Sequence, residues 1–116
     1  MKVIIAGSRN YDIDTIYETV AKAVSDSGFV PTEIVSGGAQ GIDLAGELYA
    51  ERNNIPVKRF IPDWAKYGAA GGPIRNKEMS EYAEALIAVW DGTSRGTKNM
   101  LDHMYRKKKK VFLVKV

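Results

Sequence analysis

The sequence contains no cysteine and only one histidine in 116 residues. Disulfide cross-links and thiolate chemistry are thereby excluded, and a lone histidine supplies no cluster for a metal. No metal and no cofactor is expected. Long apolar runs are missing too: Val3-Ile4-Ile5-Ala6 is far too short for a membrane span or a signal peptide. No membrane partner is expected, and a cytoplasmic location is the simplest reading. There is also little excess charge. Of the net +3, five positives stand together at Arg106-Lys107-Lys108-Lys109-Lys110, and setting them aside leaves 12 basic against 14 acidic residues, a balance of −2. A general polyanion-binding surface is therefore disfavoured. The length and the 45% hydrophobic content suit one domain over residues 1–116.

What the chain does have is a regular alternation of short apolar runs with amphipathic stretches. Lys2–Ala6 reads as a buried strand, followed by a helix over 13–27 with Ile13, Ile16, Val20, Ala23 and Val24 on one face. Asp12 or Asp14 can cap that helix and Gly28 can end it. Glu33–Val35 is a second strand, 41–53 a second helix, and Val57–Ile61 a third strand. Residues 62–72 read as the longest irregular stretch, with Pro73 opening a helix to about Ala83. Ala85–Trp90 is an apolar, central strand, 96–107 a helix, and Val111–Val116 the last strand. This order predicts a Rossmann-like α/β/α fold with a parallel sheet of about five strands.

In such sheets, ligands bind outside the carboxyl ends of the strands. Four polar, glycine-containing loops follow strands directly and should meet there. In Gly7-Ser8-Arg9, the planar fork of Arg9 can grip a phosphate or carboxylate. In Ser36-Gly37-Gly38-Ala39-Gln40-Gly41-Ile42-Asp43, the glycines permit close approach, Ser36 and Gln40 offer hydrogen bonds, and a helix amino terminus follows. Asp43 either caps that helix or accepts bonds from ribose hydroxyls; it would repel a phosphate bound at the same helix end. In the long third loop, Trp64 beside Asp63 can stack on a base or plug the loop onto the core, and Arg75-Asn76 is the polar pair best placed for ligand contact. The fourth loop, with Asp91, Ser94, Gly96 and Thr97, is a second phosphate cradle. The basic run joins a helix end to the last strand, at the opposite end of the sheet, and reads as a solvated face.

Taken together, Gly-Ser-Arg, Ser-Gly-Gly-Ala-x-Gly-x-Asp, Pro-Asp-Trp…Gly-Pro-x-Arg-Asn and Asp-Gly-x-Ser-x-Gly-Thr resemble the YspA/YpsA-related group of the SLOG superfamily, across Val3 to about Met100. That superfamily joins the DNA-processing protein A (DprA/Smf) proteins with the LOG phosphoribohydrolases. The resemblance implies a Rossmann-like fold, often homo-oligomeric, whose pocket binds nucleotides or molecules derived from them. LOG enzymes carry Gly-Gly-x-Gly-Thr-x-x-Glu, and here Met100 stands where their catalytic glutamate falls. A thioether does no acid–base work, so the weight lies on binding rather than catalysis. The expectation is sensing or sequestration of a nucleotide-derived, ADP-ribose-like molecule, which also suits a chain of this size without an effector domain. Nucleotide N-glycosidase activity and DprA-like binding of single-stranded DNA are the alternatives.

Overall fold

A computed structural model describes every residue from Met1 to Val116. Five parallel strands, β1 (Lys2–Gly7), β2 (Glu33–Ser36), β3 (Val57–Arg59), β4 (Ala85–Trp90) and β5 (Lys110–Lys115), form one sheet in the order β3-β2-β1-β4-β5. The Rossmann-like α/β arrangement expected from the alternation is what the chain adopts. Side chains of successive strand residues point to opposite faces, which builds two cores. Val3, Ile5, Ile34 and Ile87 pack on α1 (Ile13–Ser27) and α2 (Ile42–Arg52). Ile4, Val35, Leu86 and Ala88 pack with Met79, Met100 and Met104, which come from two helices on the other face. Strand order reverses at β1: the chain moves outward through β2 and β3, then returns to β4 on the other side. The loops after β1 and β4 therefore diverge and leave a crevice at their carboxyl ends.

The segment expected to be irregular is not. Residues Trp64–Tyr67 form a single-turn helix, α3, and Gly68–Ala70 a 3₁₀ turn. Helix α4 then begins at Gly71, two residues before Pro73, and runs to Tyr82. The proline is accommodated because its missing N–H falls among the amino-terminal donors that have no intrahelical partner anyway. Strand β3 stops at Arg59, short of the expected Ile61. At the start of the chain, the Asp12 carboxylate accepts a 2.8 Å bond from the Asp14 N–H and caps α1 as its sequence predicts.

The basic run needs correction at one residue. Helix α5 (Arg95–Arg106) ends in it, but Lys109 is no solvated charge. Its Nζ donates to the carbonyls of Ser80 (2.6 Å), Glu81 (3.2 Å) and Ala83 (2.7 Å) at the end of α4. An ammonium there satisfies carbonyls that the helix leaves unpaired and opposes its dipole. Replacing Lys109 by methionine should therefore cost about 1–2 kcal/mol in urea unfolding, whereas Lys110→Met should stay within about 0.5 kcal/mol.

Candidate functional site: a cleft at the carboxyl ends of the strands

The turn after β2 is built for close approach. The Ser36 hydroxyl donates to Glu47 Oε2 (2.6 Å) on α2 and accepts from the Gly38 N–H (3.0 Å). Glu47 also accepts from Arg59 on β3, which latches the turn to the sheet edge. A Cβ on Gly37 would lie 2.5 Å from Arg75 Nη1 and 2.9 Å from Asp43 Oδ2. A Cβ on Gly41, whose φ is +73°, would lie 2.5 Å from the Ser8 carbonyl oxygen. Glycine at these two positions is what lets the first and second loops and α4 meet.

Arg75 is the centre of the arrangement. Although charged, it is 9% exposed. Its Nε donates to Asn76 Oδ1 (3.0 Å) and its Nη1 to the Gly37 carbonyl (2.7 Å), with a longer 3.5 Å bond to the Phe60 carbonyl. Asn76 Nδ2 in turn donates to the Gly96 carbonyl (3.0 Å) and to Asn99 Oδ1 (3.1 Å), so the pair ties α4 to both neighbouring loops. Asp43, in the first turn of α2, accepts a 3.3 Å bond from the Ala39 N–H and is 6% exposed. Burial pushes its pKa up to about 6, opposed by the Ala39 bond and the positive charges of Arg75 and Arg9. Burial also lowers the pKa of Arg75, with Asp43 opposing and the like charge of Arg9 adding to it.

Three adjoining chambers share Arg9 and Arg75. The first, about 260 Å³, lies over Ala6 and Met100 and is walled by Gly7, Asp43, Asn76, Ser94, Gly96 and Thr97. The second, about 400 Å³, is lined by Gly37, Gly38, Gln40, Ile61, Pro62 and Trp64. The third, about 230 Å³, lies between Trp64 and the start of α5 and includes Arg95. Trp64 does not plug the core: half exposed, its ring lies over Gly71 and Gly72, where added Cβ atoms would approach it to 3.1 and 3.3 Å.

Five residues that the loops nominated for ligand contact line none of these chambers. Ser8 is buried, its N–H on the Val89 carbonyl (3.2 Å) and its Oγ accepting from the Asp91 N–H (3.1 Å). Ser36 is occupied by Glu47, and Gly41 packs against the first loop. Asp63 caps α3 by accepting from the Lys66 N–H (3.0 Å) and, with Glu78, lines a further cavity that also reaches Ile61 and Arg75 but not Arg9. Asp91 accepts from the Thr93 and Ser94 N–H groups (both 2.8 Å), and the bond from Ser94, then that from Thr93, holds its carboxyl below the usual carboxylate range. Conversely, Arg95, Glu47 and Asn99 take part in the cleft or its scaffold without having been singled out. Glu47 could have been found from its position four residues after Asp43, on the same face of α2. Arg95 directly precedes Gly96-Thr97.

With this geometry established, comparison with known proteins assigns the chain. It matches the model of the YspA, cpYpsA-related SLOG family over residues 1–67, more than half its length, and belongs to that family. The matched segment carries Arg9, the glycine turn and Trp64, while Arg75 and the α5 loop lie beyond it. No curated protein matches. Among solved structures, the fold is similar to that of DNA processing protein A (DprA) from Streptococcus pneumoniae, with a TM-score of 0.77 and 21% identity over 97% of this chain. The chain spans about half of that protein's length, 49%.

Two consequences can be measured. Gly37→Ala should displace Arg75 from the Gly37 carbonyl and destabilise the fold by about 1–3 kcal/mol. Asp43 has an ordinary pKa of 3.8 and a folded value of about 6, so the fold prefers it protonated. Its contribution to stability is present below about pH 3.8 and is lost as pH rises through about 6. Unfolding titrations should show Asp43→Asn gaining on the wild type between these pH values, by on the order of 2–3 kcal/mol at neutral pH.

Proposed function

We propose that the chain binds a nucleotide or nucleotide-derived small molecule, ADP-ribose-like in combining base, ribose and phosphate, and thereby senses or sequesters it. The observation carrying this reading is that Arg9 and Arg75 are common to three chambers at the β1–β4 reversal. Two of them, about 260 and 230 Å³, are below the roughly 300 Å³ of a small-molecule site; joined, the three offer an aromatic ring, guanidinium donors and a carboxylate in one cleft. Asp43 accepts hydrogen bonds from ribose hydroxyls, Trp64 stacks on the base, and the arginines hold phosphate. Binding is favoured over glycosidic hydrolysis because the buried thioether of Met100 forms the floor where LOG enzymes carry an acid. Association of several copies around the shared ligand is compatible with this reading.

A second reading, single-stranded DNA in the same cleft, draws on the likeness to the DNA processing protein. It is weaker because Lys110 lies at the amino end of β5, opposite the cleft, and Lys109 is committed to α4. Thermal-shift and calorimetric titrations with adenosine, AMP and ADP-ribose decide between them. At least one of the three should raise the melting temperature, and Trp64→Ala should weaken it about 10- to 100-fold, the usual worth of one stacked base. Absence of any shift, together with tight, salt-sensitive binding of an oligonucleotide, would contradict the proposal.

A further inference from the structure

The three chambers differ in charge. Arg9, Arg75 and Arg95 all line the smallest, about 230 Å³, and no acidic residue does. None of the three is ion-paired: the chain's pairs are Lys22–Asp26, Arg59–Glu47 and Lys98–Asp102. Arg75 is anchored through Nε and Nη1, and its Nη2 takes part in none of those bonds. Positive charges gathered in one chamber repel one another: Asp43 offsets part of the Arg75 charge but does not line this chamber, and the like charge of Arg9 depresses the Arg75 pKa. An anion placed among them would relieve that repulsion and gain charge-assisted hydrogen bonds.

The other anion-friendly place in the cleft, the start of α2, is compromised. Asp43 occupies its first turn, and a carboxylate there repels phosphate. Volume separates the roles further. A cavity of about 230 Å³ is below the roughly 300–1,000 Å³ of a whole-ligand site. It is several times the ~30 Å³ share of one water, which suits a phosphoryl or diphosphoryl group without its nucleoside.

We propose that this chamber is the anion subsite of the cleft, taking the phosphoryl or diphosphoryl group of the ligand among Arg9, Arg75 and Arg95. The sugar then faces Asp43 in the 260 Å³ chamber, and the base occupies the 400 Å³ chamber against Trp64. The assignment rests on the nucleotide reading and adds to it which end of the guest each chamber receives. Arg95 becomes a binding residue, and phosphorylated ligands are selected over free nucleosides.

Calorimetry on the full chain with inorganic pyrophosphate, AMP and adenosine tests it, using wild type, Arg95→Gln and, as a control at the far end, Arg106→Gln. Both substituted residues are exposed, so the variants should fold. The expected result is pyrophosphate binding that Arg95→Gln weakens about tenfold and Arg106→Gln leaves unchanged, the loss of one charge-assisted bond. AMP should bind wild type at least tenfold more tightly than adenosine, and Arg95→Gln should reduce that preference. Equal affinity for AMP and adenosine would overturn the subsite while leaving the nucleotide reading intact. Equal weakening by Arg106→Gln would likewise overturn it, by reducing the effect to general charge. Failure of AMP and adenosine to bind would overturn the subsite, and absence of a thermal shift with ADP-ribose as well would remove the nucleotide reading itself.

Discussion

A buried guanidinium must keep its hydrogen bonds, because its charge cannot be taken from water without them. In this chain the constraint falls on Arg75, whose bond to the Gly37 carbonyl joins residues 38 positions apart. The rest of the cleft follows from it. Gly37 must lack a side chain, because any Cβ would occupy the space of Nη1. Asn76 Oδ1 accepts the hydrogen bond from Nε, and its Nδ2 donates onward to the Gly96 carbonyl and Asn99 Oδ1. Helix α4 is thus held between two loops that otherwise share no strand, and Asp43 is close enough to feel the charge.

The same arrangement carries electrostatic strain that packing does not explain. Asp43 is buried with a single backbone donor, and Arg9 lies close enough to Arg75 to lower its pKa without any carboxylate paired to either. Structural ion networks normally neutralise such groups, as Glu47 does for Arg59. Partly balanced charges gathered in a cleft at the reversal of a parallel sheet are the kind of arrangement that ligand sites carry.

Much of this is legible in the amino-acid sequence. Every strand but the exposed edge strand β3 carries a short apolar run, and burial alternates between two helical layers, so the sheet could be read from Val3, Ile4 and Ile5 or from Ala85 to Val89. Because every polar loop follows a strand, their convergence was legible as well. The division of labour within the loops was not. Serine and aspartate are as apt to close turns as to meet ligands: Ser36, Asp63 and Asp91 close turns or caps, and Ser8 ties the first loop to the fourth. A helix of four residues such as α3 is too short to show periodicity. Lys109 looked like its neighbours in a charged run, and only the tertiary fold brings it to the end of α4. Arg95 was masked by its place beside glycine and threonine, since its partners lie in distant segments.

The central claim is that four separated stretches of chain enclose one nucleotide. Backbone amide shifts followed by NMR during titration with ADP-ribose test it directly. Residues Gly7–Arg9, Gly37–Gln40, Trp64 and Ser94–Thr97 should all move, and they should fit a single binding isotherm. Shifts confined to Arg106–Lys110, or separate isotherms for the separate loops, would contradict it.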